Sequence, residues 1–126
     1  MPAGDEAHAV YARAVPRLRE LLASLGVPCT FFVIGRDLDH VVARDGARAL
    51  AADGHELANH SLHHRYDLTR LAPDALREEI RGGVAAIERA TGVRAAGFRA
   101  PGYTITDAVF DALAAEGVAY DSSVFP

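Results

Sequence analysis

Apolar residues along the chain alternate between two spacings, one helical and one extended. Leu18, Leu21, Leu22 and Leu25 recur at helical spacing, with Pro16 suited to a first helical position and Gly26 to a stop, so a helix is predicted over 17–25. The run 29–34 is rich in β-formers and closed by Gly35, which reads as a buried strand. A second helix is predicted over 40–53, with Val41, Val42, Leu50 and Ala51 as apolar contacts, Gly46 weakening its interior and Gly54 ending it. A short strand follows at 56–59. Leu76, Ile80, Val84 and Ile87 share one face of a third helix over 73–90, stopped by Gly92. Residues 97–99 are strand-like, Thr106 caps a fourth helix running to 116, and a last strand begins at 118–120.

Strands separated by single helices pair in parallel through crossover connections, so the fold class is α/β. Periodicity leaves two architectures open, a β/α barrel and an open doubly wound sheet. No repeat, low-complexity tract or linker interrupts the 126 residues, and they are read as one domain. In both architectures functional loops follow the C-terminal ends of strands.

Composition narrows the function classes. Thirteen arginines without a basic block, in a chain of net charge −4, argue against a nucleic-acid binder or a polybasic membrane binder. A single cysteine, Cys29, excludes an internal disulfide framework and a cysteine-rich zinc module. The 25 alanines and the absence of lysine fit a GC-rich coding bias. The opening residues 1–6 have neither a basic start nor a following apolar run, so no signal peptide is expected and the chain as written reads as cytoplasmic. The longest strongly apolar run, 30–34, is far too short for a bilayer span.

Three loops carry candidate chemistry. After the second strand, His60 and His64 stand four apart, so one helical turn would put both imidazoles on one face. Neutral imidazole ligates zinc-like metals, but a catalytic site uses three protein ligands, so the pair is a partial site. Taken alone, His-Ser-x-x-His reads more readily as a solvated or packed histidine cluster. His63 suits the shared face less. After the third strand, Arg99-Ala100-Pro101-Gly102-Tyr103 forms a stiff turn whose amides and guanidinium can face an anion, or simply an ordinary strand-to-helix turn. After the last strand, Asp121 either orients a histidine or starts a turn with Ser122 and Ser123.

In this order the pieces resemble the polysaccharide deacetylase family, the NodB-homology domain. The strand Thr30 to Gly35 is similar to the family's second strand. Gly54-His55-Glu56 leading to Asn59-His60-Ser61-Leu62-His63-His64 is similar to its metal-histidine motif. Phe98-Arg99-Ala100-Pro101 is similar to its third motif, and Asp121 to Phe125 to its fourth. The resemblance implies a distorted β/α barrel, here a partial one with parallel strands. It also implies a divalent metal, usually zinc, that helps water remove an N-acetyl group from an amino-sugar polymer or oligosaccharide. His60 and His64 would be metal ligands, Arg99 would hold the catalytic carboxylate, and the backbone at Gly102 or Tyr103 would form part of an oxyanion site. Asp121 would orient a catalytic histidine, while Pro101, Tyr103 and Phe125 would line the substrate. The family's first motif is an Asp-Asp pair that supplies the base and the third ligand, and no strand ahead of the first helix provides it. Asp5 and Glu6 occupy that region as poor substitutes. The last motif, with the catalytic histidine, would lie beyond Pro126. The chain is therefore expected to be an internal portion of such an enzyme, with little activity alone and open sheet edges that favour association. Two alternatives are a non-catalytic metal- or sugar-binding remnant and an amidohydrolase acting on a small amide or ureide. Sequence leaves the oligomeric state open.

Overall fold

A computed structural model describes residues 9–126. Four strands, β1 (Thr30–Val33), β2 (Glu56–Asn59), β3 (Gly97–Phe98) and β4 (Tyr120–Asp121), form one sheet in the order β1-β2-β3-β4, and every neighbour pair is parallel. The crossovers contain α2 (Val41–Ala52), α3 (Pro73–Thr91) and α4 (Asp107–Ala115), and α1 (Val15–Leu25) precedes β1. The strand order never reverses, as it would in a doubly wound sheet, so the arrangement is that of a barrel segment.

Val33, Leu57 and Phe98 lie on the sheet face that the helices cover. Val33 and Leu57 pack with Ala43, Ala47 and Leu50 of α2 and Ile87 of α3. Phe98 packs with Ile80 of α3 and with Val109 and Leu113 of α4. Helix ends follow the predicted signals. Gly26 and Gly92 close α1 and α3 in the left-handed conformation, and Thr106 Oγ1 accepts from the Val109 amide. β1 is shorter than its apolar run, with Cys29 and Ile34 outside the ladder, whereas β2 keeps its predicted bounds, β3 ends at Phe98, and β4 starts at Tyr120 rather than Val118. Helix α1 differs more from its pattern. Only Val15 is buried, while Leu18, Leu21 and Leu25 are exposed, and a π-helical turn (Val10–Ala14) brings Tyr11 against the α2 core. Among the described residues no helix is long and apolar enough to cross a membrane.

The opposite sheet face carries a polar layer. Thr30 is in register with Glu56, and Gly97 with Tyr120. Thr30 Oγ1 donates to Glu56 Oε1 and the Tyr120 hydroxyl donates to Glu56 Oε2, both at 2.7 Å. To reach Glu56 from β4, the Tyr120 ring crosses β3 directly over Gly97, where a β-carbon would collide with it. One carboxylate thus links β1, β2 and β4 across the glycine of β3. Burial and the Glu56 hydrogen bond push the Tyr120 phenol up to about 12. Because the folded value lies above the ordinary one, stability linked to the phenol proton is intact below about pH 10 and is lost as pH rises toward about 12. Tyr120→Phe should cost about 0.5–1 kcal/mol at neutral pH, a modest figure because the side chain is partly exposed. Urea midpoints measured between about pH 9 and about pH 12 should fall less steeply for Tyr120→Phe than for the parent chain. Tyr11, also raised to about 12, titrates in both proteins and cancels in the comparison.

Candidate metal centre

The carboxyl ends of β1, β2 and β3 converge on His60. Its amide donates to Val33 O at 2.9 Å, and the Arg99 amide donates to Asn59 O at 3.0 Å, so the ladder runs one residue past each strand. His60 Nδ1 lies 2.6 Å from Arg99 O. A carbonyl oxygen only accepts, so the imidazole proton sits on Nδ1 and Nε2 keeps its lone pair. Burial lowers the His60 pKa, the charges of His64 and Arg99 add to this, and the carbonyl bond opposes it. The outcome is a neutral ring in a fixed tautomer, the form that binds a metal.

His60 and His64 do come together, with ring centroids 4.8 Å apart, but not through the helical turn predicted from their spacing. Ser61 and His64 both adopt left-handed backbone conformations, with φ of 68° and 56°. The loop's backbone is paired outward rather than within a helix. Ser61 O and Leu62 O accept from the Gly35 and Arg36 amides, and the Leu62 amide donates to Glu79 O. Ser61 Oγ then accepts from the His64 amide at 3.0 Å, turning the chain back so that the fourth residue meets the first. His63 is engaged elsewhere, with Nδ1 2.6 Å from Glu79 Oε1. Donor chemistry and proximity make His60 and His64 a fitting two-histidine pair for a zinc-like ion. Among the described residues no three His, Cys, Asp or Glu side chains cluster closely enough to hold one. Asp5 and Glu6 lie outside the described residues.

Aromatic rings lie beside His64 and around Arg99. Tyr66 stands edge-on to His64 at 5.0 Å between centroids and also lies against Gly102. Tyr103 packs on Phe125 at 4.7 Å. The Arg99 guanidinium lies 4.3 Å from the Phe32 ring centre and 5.7 Å from that of Tyr103. Tyr66 was not among the residues read from sequence; its signal was an aromatic two positions after His64.

A match to the polysaccharide deacetylase family spans residues 5–120. The chain belongs to this family. A chitooligosaccharide deacetylase of Rhizobium leguminosarum bv. trifolii is 41% identical over 66 residues, 52% of this chain and 29% of that protein. Among solved structures, a candidate polysaccharide deacetylase from Mycobacterium smegmatis superimposes with TM-score 0.83 at 33% identity, covering 94% of this chain and 39% of that one. A mutant of a CE4 family pseudoenzyme from Bacillus anthracis, with restored enzymatic activity, gives TM-score 0.79 at 26% identity over 86% of this chain and 39% of that one. The chain thus spans under half the length of these relatives.

The partners of the third and fourth motifs among the described residues lie at the ends of β3 and β4. Arg99 meets no carboxylate among the described residues; Nε donates to Ser122 O at 3.0 Å and Nη2 to Ser122 Oγ at 2.7 Å. The Asp121 carboxylate accepts from the Ser123 amide at 2.9 Å and from Ser123 Oγ at 2.7 Å, which fastens a turn at the end of β4. Ser123 Oγ in turn accepts from the Ala100 amide at 2.8 Å, which joins the end of β4 to that of β3. Pro101 is fully buried beneath the loop. The Tyr103 amide donates to Ala100 O at 3.0 Å and is used by the turn, while its ring is exposed. Ser123→Ala leaves the buried Ala100 amide without its partner, which should cost about 1–3 kcal/mol. A urea titration should show that loss, and an unchanged midpoint would contradict the assigned role of Ser123.

Proposed function

We propose that the chain carries the metal-binding portion of a deacetylase that removes N-acetyl groups from an amino-sugar polymer or oligosaccharide, with zinc at His60 and His64. The observation that carries this reading is the His60 Nδ1 bond to Arg99 O, which leaves Nε2 beside the His64 ring. Zinc bound there supplies Lewis acidity, which acidifies water and polarises an amide carbonyl. The chain's own groups act around it. The Arg99 carbonyl fixes the His60 tautomer, and Ser61 Oγ holds His64 against it. With the Tyr103 amide used by its turn, Gly102 is the amide assigned to a developing oxyanion. Tyr66, Tyr103 and Phe125 are exposed by 69%, 46% and 70% and form an aromatic rim suited to packing on sugar faces. Chitooligosaccharides are the leading substrate class, because a relative named for that activity matches 52% of the chain.

Zinc titration calorimetry tests the ligand pair. His60→Ala and His64→Ala should each weaken zinc binding about tenfold or more, and unchanged affinity in both would overturn the assignment. A catalytic site of this kind uses three protein ligands, and two are brought together among the described residues. The 126-residue chain is therefore expected to bind zinc yet release little or no acetate from N-acetylated chito-oligosaccharides. Robust, chelator-sensitive release would overturn that expectation.

A further inference from the structure

The histidine loop is seated on α3 by a residue that carries no role in the reading above. We propose that Glu79 is a positioning residue for the His60–His64 pair, acting through His63 and the loop backbone; the inference rests on that pair being the metal site. Glu79 is a carboxylate only 5% exposed. Its Oε2 accepts from the His63 amide at 2.9 Å and its Oε1 from His63 Nδ1 at 2.6 Å. Its main-chain carbonyl accepts from the Leu62 amide at 2.9 Å. One residue of α3 therefore takes three hydrogen bonds from two consecutive residues of a five-residue loop.

The helix surface beside Glu79 is cut to receive that loop. A β-carbon on Gly82 would lie 2.6 Å from Leu62 Cδ2, and one on Gly83 would collide with the Asn59 amide. Asn59 Nδ2 donates to Ile80 O at 2.9 Å, so the residue before His60 is tied to the same turn of α3. Residues 59, 62 and 63 are thus all fixed from one side. Burying a carboxylate is costly unless its oxygens are well bonded, and here both meet donors of a single residue. With the His63 amide and ring both clamped, the backbone entering His64 has one orientation. The Ser61 hydroxyl then holds the His64 amide from the other side. His64 is consequently placed through its neighbour His63, by a carboxylate whose hydrogen bonds go to that residue.

The experiment measures zinc affinity for the parent chain, Glu79→Gln and a matched control, Ile87→Val. Ile87 lies in the core between α3 and α2, away from the loop. Glutamine keeps the size of Glu79 but offers an NH2 to one of the two His63 donors. We expect Glu79→Gln to weaken zinc binding about tenfold or more, the usual effect of losing an outer-shell partner, with Ile87→Val unchanged. In the zinc-free protein, Glu79→Gln should also speed amide exchange at Leu62, His63 and His64, and Ile87→Val should not. Equal affinity for parent and Glu79→Gln would overturn the proposal, as would equal weakening by Glu79→Gln and Ile87→Val. If the parent chain itself bound no zinc, the metal reading would fail, and the exchange data would still show whether Glu79 orders the loop. If Glu79→Gln does not fold, His63→Ala replaces it at a half-exposed position and should weaken zinc binding several-fold; no change would again overturn the proposal.

Discussion

Asn59 is completely buried between β2 and α3, where its side-chain nitrogen donates to a helix carbonyl and its Oδ1 has no hydrogen-bond partner. An orphaned buried acceptor costs about 1–3 kcal/mol. The contact persists because strand and helix approach so closely there that Gly83 has no room for a side chain. Much of the geometry at the carboxyl edge of β2 follows from that approach. It brings Leu62 onto Gly82 and Gly35, sets the Leu62 amide on Glu79 O, and leaves the following residues to turn back through left-handed conformations. A looser seam would leave the loop free to form the helical turn its spacing suggests.

Arg99 is a second organising residue, and it works with its main chain as well as its side chain. The carbonyl sets the protonation of His60, the guanidinium fastens Ser122, and its flat face covers Phe32 of β1. An arginine suits this because its planar fork binds two oxygens while its face still stacks on a ring. At the other end of the same sheet face, Glu56 draws Thr30 and Tyr120 together. The open face is thus braced at both ends by charged residues that reach across neighbouring strands.

Much of this architecture was legible in the residues. Glycine stops, the Thr106 cap and the apolar face of α3 marked the helices to within a residue or two, because each signal is local; on α2, Leu50 is buried as predicted, but Val41 and Val42 are exposed and Ala43 and Ala47 meet the core instead. Strand order was not legible, since pairing is a property of the whole sheet, and the two parallel architectures share one local pattern. The exposed leucines of α1 misled for the same reason: spacing reports a face but not what meets it. At the site, the histidine pair was found from spacing, but the backbone that joins it was not. Ser61 and His64 are neither glycine nor asparagine, and nothing local announces a positive φ there. Glu79 sits in the run Glu78-Glu79, which reads as a solvated helix edge until the fold buries one of the two. Asp121 and Arg99 were recognised by motif, yet their partners are serines two and 23 residues away.

The bond between His60 and Arg99 spans 39 residues, and those from Arg99 to Ser122 and from His63 to Glu79 span 23 and 16. None of them can form in an extended chain; the bonds from His60 to Arg99 and from Arg99 to Ser122 each require a complete strand–helix–strand crossover to have closed, and the bond from His63 to Glu79 requires α3 to have docked against the histidine loop. Contacts of such separation pay loop-closure entropy before they return any energy, which places the histidine pair among the last features to assemble as the chain folds. The unfolded ensemble holds no prearranged site, so ligation at this pair draws directly on folding free energy. The same long-range bonds that aim the imidazoles make their alignment a measure of whether two successive crossovers have docked.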